Sequence, residues 1–480
     1  MSKEGYGKTS IRGIASTAAS QAIKVGTTII TTTIVARLLS PSEYGVSAMA
    51  GPVAGFIVIF QNLGLNQAVV QAKTITDEES NALFWINMYA SLAIALVMLA
   101  IGPLVGHFYG DPRPGYFVAA TGLVVLVSGL KQQHQALMNR EMRFHSLSLN
   151  DSVAAIVTLI ATVGCAFYFH NYWALFFGGL AGAAASSLMM WVSHGWRPQW
   201  RPGIKAARTM IGFGANVTGF NLVNFLARNA DNVLIARFSG AAAVGLYDRS
   251  YKLMLFPLQN INAPMSRVMV PALSRLQDHP ERYRRAYLLS LRALVLVSMP
   301  GVIAIAIASR PVVLLLLGQK WQSAVPIFFW LSLTAIVQIV ANTTGWLFIS
   351  SGRAREMMRW GLVSSLVSIA SFIVGLPWGP VGVAKAYFAS QVVCLPFLYW
   401  YSCKQSPIDY ESLYRLQLPT VAGGLVAWLL SRNIPGESGV SYILPIVVLS
   451  YVCCWISELI FPEGRQALKE YIVMVRKATS

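Results

Sequence analysis

Apolar stretches of membrane-spanning length recur along almost the whole chain, with only short polar connections between them. A helix needs roughly 20 mostly apolar residues to cross a bilayer, and about fourteen stretches meet that criterion. The chain of 480 residues is 12% charged, about half the charged share of a soluble protein. The sequence therefore predicts an all-α polytopic membrane protein with no extramembrane domain. The predicted spans are 11–39, 44–70, 81–105, 116–137, 147–169, 172–194, 209–238, 242–269, 286–309, 324–350, 357–376, 381–401, 416–431 and 442–461.

Basic residues concentrate in alternate connections, as cytosolic loops of membrane proteins do. The formal net charge is +18, and the basic tail agrees with this alternation. We therefore predict that both termini lie in the cytosol. No basic soluble stretch with interleaved aromatic residues is present, so we expect no nucleic-acid partner. The basic connections contain Arg140, Arg143, Arg197, Arg201, Lys205, Arg208, Arg275, Arg282, Arg284, Arg285, Arg353, Arg355 and Arg359.

No constellation typical of catalysis or of cofactor binding occurs in the sequence. The patterns GxSxG, HExxH and Walker A are missing, and no span carries paired carboxylates at helical spacing. The five cysteines lie in or beside apolar runs without a CxxC spacing, so neither a metal site nor a disulfide framework is indicated. We expect a protein that is not an enzyme and that needs neither a cofactor nor a metal.

Two segments of the chain repeat each other at a constant displacement. IVARLLSPSEYG at 34–45 aligns with LIARFSGAAAVG at 234–245, so predicted helix seven repeats helix one. An even number of helices separates the copies, which makes the repeat parallel; such halves usually line a cavity between them. We predict an N-terminal lobe at 1–200, a C-terminal lobe at 201–404, and two appended helices with a basic tail at 405–480.

Polar residues form a stripe on one face of each repeated helix. Both stripes follow the spacing i, i+3, i+7, i+10, which is one side of a helix. Charged groups deep in a membrane helix are tolerated when they face water or a partner, so the matched stripes predict a polar cavity. The first stripe contains Gln21, Lys24, Thr28 and Thr31, and the second contains Asn221, Asn224, Arg228 and Asp231.

Simple structural roles compete with that interpretation for some of these residues. Arg228 and Asp231 are three residues apart and could pair with each other. Asp248 and Lys252 share the spacing i, i+4, and their pairing would leave Arg249 free. Lys24 differs, because it lies about mid-helix with no nearby acid in its own segment.

The candidate cavity residues carry more positive than negative charge. A low-dielectric cavity of that balance favours an anion, and a diphosphate matches several separated cations well. Outside this set, snorkelling to the membrane surface would explain Lys131 and His134, and interfacial placement would explain Glu458. The candidate substrate-binding residues are Lys24, Asn224, Arg228, Asp231, Arg249 and Lys252.

Several segments resemble the Wzx-type, or polysaccharide transporter, branch of the MOP superfamily of flippases. In the second half these are IGFGANVTGFNLVNFLARNADNVLIARFSG, AVGLYDRSYKL and NAPMSRVMVPALSRLQDHPERYRRA. In the first half IVARLLSPSEYGVSAMA, LGLNQAVVQ and ALMNREMRF are similar to the same branch. The resemblance covers most of the chain and weakens after about Lys404.

The resemblance implies a MOP-type fold of two six-helix lobes plus two further helices in the bacterial inner membrane. It implies a flippase that moves undecaprenyl-diphosphate-linked oligosaccharide repeat units from the cytosolic to the periplasmic leaflet by alternating access. Related flippases hold the diphosphate with cavity cations, a role that would fall here on Lys24, Arg228 and Arg249. Membrane lipid, a polysaccharide polymerase and the export machinery are the partners that it implies.

Three other functions remain open on the sequence alone. A multidrug or small-molecule exporter of the same superfamily is one, although the cationic balance disfavours it. A membrane glycosyltransferase or polymerase is another, although it would need a larger loop or a carboxylate site. The third is a structural partner of the polymer-export machinery.

Overall fold

The computed structural model describes residues 3–61, 69, 75–200, 208–434, 439–462 and 464–465. Within these ranges, the side chains of residues 3–16, 18, 60–61, 208–224, 226–227 and 263 fall outside the description. Over the described residues the regular structure is helical and contains no strand. This confirms the all-α prediction.

The chain divides into two compact units, residues 1–245 and 246–480. The first unit contains α1 (Lys3–Leu38), α2 (Pro41–Gln61), α3 (Asp77–Tyr109), α4 (Pro112–Arg140), α5 (Phe144–Phe169), α6 (Trp173–Ser193) and the beginning of α7 (Arg208–Ser274). The second contains the rest of α7, α8 (Pro280–Ile307), α9 (Ser309–Leu317), α10 (Val325–Ala341), α11 (Thr344–Ser350), α12 (Ala354–Gly375), α13 (Gly379–Cys403), α14 (Tyr410–Ser431) and α15 (Val440–Ile460). The predicted lobes at 1–200 and 201–404 and the appended segment at 405–480 stay predictions.

Nine stretches of the described chain are long and apolar enough to cross a membrane. The number of fourteen spans and the cytosolic placement of both termini stay predictions. Predicted helices seven and eight run together as α7, which is interrupted at Gly240, where φ is 81°. Such a positive φ is costly for residues with a Cβ, so glycine permits the break between the two predicted helices. The predicted helix 324–350 is divided instead into α10 and α11.

Local signals set the ends of the helices in the first unit. Thr76 and Glu79 form a capping box at the beginning of α3, each side chain accepting from the other residue's backbone N–H. Gly110 ends α3 in the left-handed conformation with φ of 69°. The carboxylate of Asp111 then accepts from the backbone N–H of Arg113 and caps α4. These caps produce the tight α3–α4 hairpin.

Close backbone approach holds that hairpin together within the membrane. A Cβ added to Gly115 would overlap the carbonyl oxygen of Gly102 across the α3–α4 interface. A Cβ added to Gly102 would lie 2.9 Å from the carbonyl oxygen of Gly115. Lipid chains are as apolar as the helix surfaces, so helices associate in membranes through close packing of small residues. The two glycines therefore set the α3–α4 distance.

The last two helices pack against α8 within the second unit through polar contacts. Tyr451 on α15 donates its hydroxyl to the carbonyl of Val297 at 2.6 Å. Glu458 lies 3.6 Å from Arg292 of α8, and both side chains are at least 90% buried. Thr420 of α14 donates to the same carboxylate at 3.2 Å. Glu458 is therefore the buried acid of an ion pair between helices, and its placement at the membrane surface stays a prediction.

Candidate functional site

Lys24 forms an ion pair that crosses between two helices of the first unit. Its ammonium lies 2.5 Å from the carboxylate of Asp151 on α5. A second contact between the same helices, 3.4 Å between the hydroxyls of Thr17 and Ser148, lies nearby on α1 and α5. Both charged side chains keep a large exposed fraction, 40% for Lys24 and 45% for Asp151. The pair is therefore accessible to a ligand.

A second lysine belongs to the same group of side chains. The ammonium of Lys131 on α4 donates to the hydroxyl of Ser186 at 2.8 Å and interacts electrostatically with both Asp151 and Lys24. Ser186 on α6 donates in turn to the buried amide of Asn150 at 2.8 Å. We call these five residues the lysine cluster; four helices supply them.

The cluster has a net charge of +1, from two lysines and one aspartate. Asp151 neutralises one cation, and the hydroxyl and amide groups orient the other. Such a group binds an anion when phosphate oxygens replace the carboxylate at one ammonium. The half-exposed position makes that exchange possible without first opening a buried pair.

Sequence reasoning identified Lys24 but missed the residues around it. Asp151 lies inside the predicted span 147–169, where an acid is by itself a signal of function or of a partner. This acid is the sequence signal that could have identified Asp151 as a candidate residue. Snorkelling of Lys131 to the membrane surface was a wrong expectation, because its ammonium is bonded to Ser186.

The second polar stripe is only partly visible in the structure. The side chain of Asn224 lies outside the described residues. Arg228 is exposed, and its pairing with Asp231 stays a prediction. Asp231 is buried, with 3% of its surface exposed, and accepts from the backbone N–H of Asn232 at 2.8 Å. Their placement in one substrate cavity stays a prediction.

The remaining predicted residues form a separate group in the second unit. The carboxylate of Asp248 lies 3.1 Å from Arg249 and 2.8 Å from Lys252. The predicted Asp248–Lys252 pair is confirmed, but the expectation that Arg249 would be free is wrong. Asp248 and Arg249 are largely buried, whereas Lys252 is 56% exposed. This group also combines two cations with one acid.

The two copies of the repeat touch each other reciprocally within the first unit. A Cβ added to Gly45 would overlap the carbonyl oxygen of Ala241, and a Cβ added to Gly245 would overlap that of Pro41. In the alignment of the repeat Gly45 is equivalent to Gly245, and Pro41 is equivalent to Ala241. Exchanging the two copies therefore converts one contact into the other, as an approximate two-fold relation requires. The contact therefore supports the alignment of the repeat.

A network of charges lies beside this contact at the ends of α2 and α4. Arg113 lies 2.7 Å from Asp111 and 3.4 Å from Glu43, and Glu43 accepts from the backbone N–H of Tyr172 at 2.8 Å. The hydrogen bond from Arg113 is the main reason that the pKa of Asp111 lies below its ordinary value. These contacts fix connections between helices.

No group of three or more histidine, cysteine or acidic residues within the described ranges could hold a metal ion. The helical architecture and the nine candidate spans of the described residues define the class of protein, a multi-pass membrane protein.

A family model described as "Polysaccharide biosynthesis protein" matches residues 34–326, and the chain belongs to that family. The lipopolysaccharide biosynthesis protein WzxC of Escherichia coli (strain K12) is 23% identical over 390 residues, which cover 80% of this chain and 78% of WzxC. The recognised Wzx-type resemblance is thereby confirmed.

Solved structures establish the fold. The lipid II flippase MurJ in an inward closed conformation matches with a TM-score of 0.73 at 13% identity, covering 94% of this chain and 98% of that one. An inward-facing multidrug resistance MATE family transporter of the MOP superfamily matches with a TM-score of 0.64 at 13% identity, covering 82% and 96%. The chain therefore has a MOP-type fold.

Proposed function

We propose that the protein is a flippase that moves undecaprenyl-diphosphate-linked oligosaccharide repeat units from the cytosolic to the periplasmic leaflet for polysaccharide assembly. Membership of the polysaccharide biosynthesis family supports a role in that assembly. The fold is like that of a protein named as a lipid II flippase. The observation that carries the proposal is the lysine cluster, since an open, net-positive group among apolar helices suits a lipid diphosphate.

The lysine cluster would hold the diphosphate by exchange of partners. In the resting protein Asp151 neutralises Lys24 at 2.5 Å. A phosphate oxygen would take the place of that carboxylate, while Lys131 would offer a second ammonium from the adjacent helix. Lysine is suited to this role because its compact ammonium can change partners on a flexible stem.

The cations predicted on α7 would complete the path of the substrate. Arg228 is exposed, and Lys252 is the exposed cation of the group around Asp248. Asn224, Asp231 and Arg249 belong to the same proposed path. The glycan would be carried in a polar cavity, the lipid tail would stay in the bilayer, and rocking of the lobes would alternate access.

The proposed reaction is transport without a chemical step, so no catalytic residue or cofactor is assigned. A polysaccharide polymerase and the export machinery would take over the substrate on the periplasmic side. They are proposed partners because a flipped repeat unit must be consumed for transport to continue in one direction.

The test is deletion of the gene with mass spectrometry of lipid-linked oligosaccharides and of surface polymer. The proposal predicts that complete repeat units accumulate on undecaprenyl diphosphate while surface polymer disappears. Shortened repeat units would assign the protein to glycosyl transfer instead. Unchanged lipid-linked sugars with altered sensitivity to cationic drugs would favour an exporter.

A further inference from the structure

A cavity of about 240 Å³ lies within the second unit among α10, α11, α12 and α13, far in sequence from the charged groups described above. The helices around it each turn one face toward it. On α13 the lining positions are 391, 394, 395 and 398, which have the spacing i, i+3, i+4, i+7 of one helix side. The end of α10, the turn after it and α11 contribute positions 337, 338, 341, 342, 344, 345 and 348.

The lining combines apolar and polar residues and carries no charge. Its polar members are three side-chain amides, two hydroxyls and one indole, and we call these six residues the amide pocket: Gln338, Asn342, Thr344, Trp360, Ser364 and Gln391. An anion would need cationic donors here and a cation would need an acid, and the lining has neither. The chemistry therefore selects an uncharged polar ligand.

Two of the amides have unused hydrogen-bonding capacity. Gln338 donates to the hydroxyl of Tyr387 at 2.9 Å, which holds its amide in place. The side chains of Asn342 and Gln391 form no hydrogen bond with a described residue. Asn342 is exposed at the end of α10 and Gln391 is half-buried, so both amides can reach a ligand in the cavity. Each amide could then donate to and accept from a polar ligand.

An aromatic ring completes the pocket. The ring of Trp360 stacks on Tyr401 with centroids 6.1 Å apart and planes 30° apart, so its position is fixed by a neighbour outside the cavity. A sugar ring offers hydroxyls at its edge and an apolar C–H face. Amides match the hydroxyls because each one both donates and accepts, and an aromatic ring covers the apolar face.

We propose that the amide pocket is a subsite for one uncharged sugar ring of the lipid-linked glycan. This inference rests on the proposed flippase function and deepens it, because it assigns recognition of the glycan to residues separate from those that would hold the diphosphate. The volume is slightly below the roughly 300 Å³ at which pockets for drug-sized ligands begin, which suits one ring rather than a whole repeat unit.

The test compares the binding of two lipids to the purified full chain in detergent. One is the undecaprenyl-diphosphate-linked oligosaccharide extracted from a polymerase-deficient strain of the host, and the other is undecaprenyl diphosphate alone. The wild type is expected to bind the glycosylated lipid more tightly. The double variant Asn342→Leu/Gln391→Leu is expected to lose that preference by roughly tenfold while binding undecaprenyl diphosphate unchanged.

Two further variants keep the comparison interpretable. Gln322→Leu makes the same amide-to-leucine change at an exposed position outside the cavity, and it should retain the full preference. If the double variant does not fold, Asn342→Ala replaces it, because Asn342 is exposed and tolerates truncation. That single change is expected to reduce the preference about threefold.

A native thiol reports occupancy without any mutation. Cys394 lines the cavity, whereas Cys165 lies on α5 of the first unit. Labelling by N-ethylmaleimide, quantified for each cysteine by mass spectrometry, should fall at Cys394 when the glycosylated lipid is bound. Labelling at Cys165 should not change, and undecaprenyl diphosphate alone should protect neither thiol.

The outcomes separate this inference from the function on which it rests. If the wild type binds neither lipid, the flippase proposal fails and the subsite fails with it. If the wild type prefers the glycosylated lipid but the double variant keeps that preference, or Cys394 stays unprotected, only the amide pocket assignment is overturned.

Discussion

Two ion pairs inside the helices of this protein differ sharply in their access to the surroundings. Lys24 and Asp151 in the first unit are 40% and 45% exposed, at a separation of 2.5 Å. Arg292 and Glu458 in the second unit are 10% and 6% exposed, at 3.6 Å. The open pair has the shorter contact, and the sealed pair has an added hydroxyl donor from Thr420.

This difference in exposure indicates which charged side chains within the membrane helices can contact a substrate. A sealed pair is held by its own helices, and removing one partner leaves a buried charge without compensation. An open pair that faces water is screened, contributes little to stability, and can change partners. Charge in a span is therefore evidence of a site only when the side chains remain accessible. The following predictions test this separation, in order of their expected effect on stability.

Breaking the sealed pair should have the largest effect on stability. Glu458→Ala is expected to lower the free energy of unfolding by about 3–5 kcal/mol, because Arg292 would remain buried and charged. Thermal unfolding of the purified protein measures this effect. The double variant Arg292→Met/Glu458→Leu is the control and should recover most of the loss, since it leaves no charge unpaired. A Glu458→Ala protein as stable as the wild type would contradict the sealed pair.

The glycine contact between the repeat copies supplies the next largest effect. Gly45→Ala is expected to cost about 1–3 kcal/mol, because the added methyl group overlaps the carbonyl of Ala241. Gly51→Ala is the matched control on α2, where an added Cβ meets no atom within 4 Å. Thermal unfolding should separate the two variants. Equal melting temperatures would show that the copies do not touch at Gly45.

The partly exposed pair of Asp111 and Arg113 should give a smaller, pH-dependent effect. Since the folded pKa of Asp111 is lowered, its contribution to stability is complete above the unfolded value of about 4 and disappears as pH falls through the folded pKa. Asp111→Asn should therefore have a lower melting temperature than the wild type at pH 7. This gap in melting temperature should close under strong acid. Glu78→Gln, at an exposed position of α3, should show no such pattern. A gap that persists or widens in acid would contradict the assignment.

The open pair should have the smallest effect on stability. Lys24→Ala is expected to change the free energy of unfolding by less than about 1 kcal/mol, since both side chains are largely exposed and not sealed between helices. Membrane insertion and thermal unfolding are the measurements. A loss as large as that of Glu458→Ala would make Lys24 a structural residue and remove the distinction between the two pairs.

The sequence predicted the helical membrane fold and the repeat and singled out Lys24 as a candidate, because hydropathy, spacing and a lone mid-helix charge are local properties. The partner of Lys24 was not predicted, because Asp151 lies 127 residues away in the chain and only helix packing brings it near. The burial of Glu458 was not predicted for the same reason, since its partner Arg292 is on α8.

The measurement that tests the central claim most directly is export by a protein without the two ammonium groups of the lysine cluster. Lys24→Ala/Lys131→Ala should insert normally, accumulate complete lipid-linked repeat units and lose surface polymer, while Lys24→Arg should retain part of the export. Lys404→Ala, an exposed lysine outside the cluster, is the control and should export normally. Full export by the Lys24→Ala/Lys131→Ala protein would contradict the account, because the diphosphate would then need neither cation.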